Sequence, residues 1–237
     1  MLVSKIVNTK YSREVTISNK IKQIPNYQEY FVPTESSCSI QSIKVKRKSS
    51  SYETTFTLLT MPYLKQVDVL FDITTYNTLT YAVEQLIENN LVHFDIKLDN
   101  ILFTPKPFLI HFDMSLDMND INFSNFMYDP KQYTWPIEVH LLCYMTHHSW
   151  SESRLEKVCK EVCKHSPVLT QEYASQCIQH YAYVWKLPRK EVMDTLIEGW
   201  KTWDMYALTI LLLQPHINLH YDVTKRLTPS ATRLAST

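Results

Sequence analysis

The chain has 237 residues, 45% of them apolar and 20% charged, with 24 Lys+Arg set against 24 Asp+Glu. That is long enough for one large domain or two modest lobes, excludes a disordered or fibrous chain, and leaves no global charge to steer it toward nucleic acid or an anionic membrane. A single glycine, Gly199, excludes the glycine-rich phosphate loops G-x-G-x-x-G and G-x-x-x-x-G-K-[ST], which need several residues with cheap access to positive φ.

Taken in chain order, Leu2–Ile6 reads as a short strand, 13–24 as a helix, and 39–45 and 54–60 as strand-like segments. Pro62 and the polar stretch 66–68 mark 61–67 as a linker. From Tyr76 to Asn90, the residues Leu79, Ala82, Val83, Leu86 and Ile87 recur at three- and four-residue spacing, the pattern of an amphipathic helix. Two apolar runs, Ile101–Phe103 and Phe108–Phe112, flank Thr104-Pro105-Lys106-Pro107 and predict a small hairpin. From Ile137 onward the periodicity is helical, over 152–163, 171–185, 189–200 and 203–213. Lys44 to Lys48 reads as an exposed strand edge without a function of its own.

Five cysteines without a C-x-x-C pair suggest neither a zinc ribbon nor a disulfide framework, and a reducing compartment fits them best. Cys159, Cys163 and His165 lie within two turns of one another and read as helix residues rather than metal ligands. The sequence shows no leader-like apolar region at its start and no apolar run long enough to cross a bilayer, so a cytoplasmic protein without membrane contact is expected.

The sharpest feature is His93-Phe94-Asp95-Ile96-Lys97-Leu98-Asp99-Asn100, of the form H-x-D-x-K-x-x-N, between the amphipathic helix and the hairpin. Phosphoryl transfer needs a carboxylate near the attacking hydroxyl, a cation near the transferred group and an oxygen ligand for Mg²⁺. Asp95, Lys97 and Asn100 offer one of each. Asp and Asn taken singly often only cap and turn a chain, but here four matched positions stand between the right elements.

In this motif the chain resembles the eukaryotic protein-kinase family, and its phrasing is closest to kinase-like proteins of large cytoplasmic DNA viruses. By that resemblance Lys5 is the nucleotide-binding lysine, Glu14 its ion-pair partner, and Thr54 to Leu64 the last small-lobe strand entering a hinge where Met61 and Tyr63 face the nucleotide. Trp135-Pro136-Ile137-Glu138 is similar to the A-P-E element. Asp204 resembles the residue that bonds the catalytic-loop backbone, and Arg226 the ion-pair partner of Glu138. The resemblance implies an α+β, bilobal fold. Its parts are a reduced small lobe (1–60), a hinge (61–67) and a helical large lobe (68–237) with inserted helices over about 144–198. It also implies an ATP- and Mg²⁺-dependent protein serine/threonine kinase in which Asp95 and Lys97 are catalytic and Asn100 holds nucleotide and metal. Its partners are then ATP and a protein substrate, with no nucleic acid.

Three departures from the family bear on activity. The strands and glycine-rich loop that cover the phosphates have no counterpart ahead of Lys5. Where the family has D-F-G, this chain has His111-Phe112-Asp113-Met114-Ser115, so the metal ligand is His111 if Phe112 is aligned and Asp113 if the distance from Asp95 is kept. Phe94 replaces the arginine that receives an activating phosphate, which predicts no switching by that modification. The competing expectation is a pseudokinase acting as a protein-interaction module. A small-molecule phosphotransferase explains Glu138, Asp204 and Arg226 less well.

Overall fold

The computed structural model describes residues 2–9, 12–47, 50–67, 71–124 and 126–214. The architecture is α+β. Strand β1 (Leu2–Asn8) leads to helix α1 (Glu14–Ile21), followed by the long strands β2 (Ser36–Arg47) and β3 (Ser50–Pro62). These strands form one antiparallel sheet in the order β1-β3-β2, with Lys5 opposite Leu59 and an irregularity between Ile40 and Ile43. The strands run further than the apolar segments 39–45 and 54–60 predict, because β2 and β3 pair along almost their whole length.

Helix α2 (Ile73–Glu88) starts where the Asp72 side chain accepts from the Thr75 N–H at 2.8 Å, satisfying a donor the first turn leaves free. It stops at Asn89 and Asn90, the latter at φ 55, a left-handed conformation that asparagine tolerates better than most residues. Its buried face carries Tyr76, Leu79, Ala82, Val83 and Leu86, as the spacing predicts. Short strands then follow: β4 (Leu91–Val92), the hairpin β5 (Ile101–Phe103) and β6 (Pro107–Leu109), and β7 (Leu116–Asp117), which pairs with β4. Strand β6 ends three residues before the apolar run does, because His111 takes φ 66 and turns the chain out of the sheet.

The helical portion consists of α3 (Ile137–His147), α4 (Glu152–His165), α5 (Gln171–His180), α6 (Arg189–Glu198) and α7 (Trp203–Leu212). On α4 the residues Leu155, Val158, Cys159, Val162 and Cys163 form one buried stripe, so both cysteines lie in the core. Cys143 and Cys177 are buried as well, while Cys38 is exposed. Helix α7 is apolar nearly all round and correspondingly enclosed, with Trp203, Asp204, Tyr206 and every residue from Ala207 to Leu212 buried. Among the described residues no helix is long and apolar enough to cross a membrane.

Two apolar cores result. One packs α3 to α6 around Trp135, Trp185 and Trp203. The other joins Ile17 and Ile21 of α1 to Leu79 and Leu86 of α2, Leu208 and Leu211 of α7, and Leu109 and Phe112. Helix α1 is therefore anchored on the helical portion rather than on the sheet alone. The segment from His93 to Asn100 lies where the cores meet, with Phe94 in the first and Ile96 in the second.

Candidate active site

Between β4 and β5 the chain makes a tight, buried excursion in which Phe94 stands at φ 67. A left-handed aromatic residue is an outlier that surrounding contacts must hold in place. Asp204 supplies two of them, accepting from the His93 N–H at 2.6 Å and from the Phe94 N–H at 2.9 Å. Trp135 Nε1 donates to the Phe94 carbonyl at 2.7 Å, and Ser115 Oγ to that of His93 at 3.0 Å. Burial pushes the Asp204 carboxyl up to about 6, although both backbone donors work the other way.

The Phe94 ring fills an aromatic cage, with centroids 4.7 Å from Phe126, 5.0 Å from Trp135 and 5.9 Å from Trp203. An apolar side chain thus occupies the place where the resembled family has a phosphate-receiving arginine.

His93 is fully enclosed. Its Nδ1 accepts from the Asp95 N–H at 3.4 Å, so Nε2 carries the hydrogen and donates to the Ile110 carbonyl at 2.9 Å. Burial holds this imidazole down to about 4, and the neutral ring acts as a strut between the loop and the strand that follows.

Asp95, Lys97, Asn100 and His111 converge on one hydrogen-bonded cluster. Lys97 Nζ donates to Asp95 Oδ2 at 2.8 Å and to Oδ1 at 3.1 Å. Asn100 Nδ2 donates to the Asp95 carbonyl at 2.8 Å and to its Oδ2 at 2.7 Å. With its amide nitrogen so committed, Asn100 turns Oδ1 toward His111 Nδ1, 2.9 Å away. An amide oxygen only accepts, so His111 Nδ1 carries the hydrogen.

Lys5 and Glu14 form a second group. Lys5 Nζ lies 2.5 Å from Glu14 Oε2, an ion contact rather than an aligned hydrogen bond, with the carboxylate buried and the ammonium partly open to solvent. Met61 and Tyr63 lie at and just beyond the end of β3, Tyr63 exposed and Met61 paired in register with Val3. Asp113 lies two residues beyond His111, close enough to His93 to act on its charge. It lines a cleft of ≈ 670 Å³ together with Val7, Asn8, Ser12, Arg13, Met114, Ser124 and Phe126. Arg13, which the sequence did not single out, donates to the Asn122 carbonyl at 2.8 Å and stacks 5.3 Å from the Phe126 ring centroid. Its position immediately before Glu14 was the available clue. Glu138 is buried on α3, whereas Arg226, and with it the expected ion pair, lies outside the described residues.

Mg²⁺ prefers several oxygen ligands in near-octahedral array. The residues here do not fit it: the Asn100 oxygen is taken by His111, so the group facing that oxygen is an imidazole rather than a carboxylate. Among the described residues no three His, Cys, Asp or Glu side chains converge as a metal site would require.

No family model matches the chain, and no curated protein does. Among solved structures, the kinase PK-1 of the Cydia pomonella granulovirus matches over 92% of this chain and 85% of that one, at 15% identity and a TM-score of 0.36. A likeness that distant carries no functional weight, which rests on the geometry above.

Proposed function

We propose that the chain is a protein-kinase-like phosphotransferase that moves the γ-phosphoryl group of ATP to a serine or threonine hydroxyl of a protein. The observation that supports it is the Asp95–Lys97–Asn100 cluster, which presents a nearly buried carboxylate with a cation bonded to both of its oxygens. Oδ2 already accepts from Lys97 and Asn100, so Oδ1, with the longer contact, is the oxygen for the acceptor hydroxyl. As the new O–P bond forms, the hydroxyl proton passes to Asp95 and ADP leaves with the electron pair of the broken bond. Lys97 balances charge on the transferred group, and Lys5, held by Glu14, meets the nucleotide phosphates. In this reading 1–60 is the small lobe, 61–67 the hinge bearing Met61 and Tyr63, and 68–237 the large lobe.

The test is transfer of labelled γ-phosphate from ATP to the chain itself and to a mixed protein substrate. Removing a positioned general base costs roughly 10²–10⁴-fold in rate, so Asp95→Asn is expected to lose at least about a hundredfold; undiminished transfer by a folded Asp95→Asn sinks the assignment. A second reading is favoured by the His111–Asn100 bond: an interaction module without turnover, docking partners through α4 to α6. Nucleotide binding without transfer in the unaltered chain decides for it.

A further inference from the structure

We propose that this chain binds nucleotide phosphates without a divalent cation, the Asn100 oxygen that would hold one being engaged by His111. The proposal rests on the nucleotide-binding reading above and concerns the same site. Each oxygen-bearing side chain of the loop cluster is already engaged by protein donors: both Asp95 oxygens by Lys97, one of them also by Asn100, and the Asn100 oxygen by His111. A metal ion entering here would have to break the 2.9 Å His111–Asn100 bond, which also anchors a residue standing in the left-handed region at φ 66.

Charge points the same way. A carboxylate at position 111 would repel the phosphates unless a cation stood between them. The imidazole imposes no such need, and Asp95 with Lys97 and Glu14 with Lys5 are each internally balanced pairs. Two further carboxylates stand near: Asp99 is exposed on the same loop, and Asp113 lines a cleft that Arg13 also lines. The pairs thus add no net negative field, and Lys97 and Lys5 are the cations whose Nζ groups would contact phosphate oxygens as point charges.

The experiment is calorimetric titration of the full chain with ATP in EDTA and again in millimolar Mg²⁺, with thermal shift as a second readout. Dissociation constants within about threefold of each other in the two buffers are the expected result. Binding only with Mg²⁺ overturns the proposal and leaves the nucleotide reading intact. Binding in neither buffer overturns both. His111→Asp and His111→Asn differ in charge alone at this position, and Asp and Asn both tolerate left-handed backbone. The Asp variant is expected to bind about tenfold or more weakly in EDTA than in Mg²⁺. The Asn variant is expected to show no such preference, whatever its absolute affinity. A folded His111→Asp indifferent to the metal overturns the role given to His111.

Discussion

The loop from His93 to Asn100 and the strand β1 carry the two halves of the proposed chemistry, and they are held in opposite ways. Around Phe94 the backbone is tied on both sides, its N–H to Asp204 and its carbonyl to Trp135, inside an aromatic cage. Lys5 stands on an edge strand of the described sheet, with Leu2 and Ile6 largely exposed, and its side chain makes an ion contact with Glu14. A proton-accepting carboxylate must lie within hydrogen-bond reach of its target, and an ångström of misplacement is costly. A cation facing phosphates acts over longer distances and tolerates adjustment. The rigid scaffold is thus spent on the loop, where position matters most.

Removing the anchor of the rigid half breaks this contrast most severely. Asp204→Ala leaves two buried N–H groups without acceptors, at about 1–3 kcal/mol each, so unfolding in urea at neutral pH is expected to lose about 2–6 kcal/mol. A loss under 1 kcal/mol would mean that the loop holds its shape without Asp204.

Acid sharpens the same contrast. Burial holds His93, and His140 within α3, down to about 4 from 6.5, and pushes Asp204 up to about 6 from 3.8. Each histidine contributes stability that is full above 6.5 and lost as the pH falls to 4; Asp204 contributes in the opposite sense, with stability present below 3.8 and lost by about 6. Two groups against one leave a net uptake of about one proton on unfolding near pH 5, or about 1.4 kcal/mol lost per pH unit on acidification. Urea melts from pH 7 to pH 4 measure this slope, and a flat profile contradicts it. The smallest effect belongs to the open half. Lys20 of α1 pairs with Asp117 of β7 near the surface, and Lys20→Ala is expected to cost less than about 1 kcal/mol, fading with added salt. A larger, salt-independent loss in denaturant melts would show that α1 is held more tightly than the comparison allows.

Much of the scaffold was legible from residue spacing. The buried face of α2, the hairpin and the helices after Ile137 follow from apolar periodicity, and Asp204 bonds the loop backbone as expected. What spacing cannot show is backbone handedness. A single glycine argues against left-handed turns, yet Asn26, Asn90, Phe94 and His111 all take positive φ while Gly199 sits at φ −74. Asparagine has a local reason to do so. Phe94 and His111 do so only because groups distant in sequence hold them, so their conformation was invisible before Trp135, Asp204 and Asn100 were placed in space. Nor does sequence reveal that Asn100 turns its oxygen toward position 111.

The four enclosed cysteines give the molecule a chemical clock. Burial raises the Cys143 and Cys159 thiols to about 12 and that of Cys163 to about 11, and it raises Cys177 as well, so none is a ready thiolate while the helices stay packed. Cys38 alone lies open on β2. An alkylating dye therefore labels one site on the folded chain, and each further label records an opening of the α3-to-α6 core.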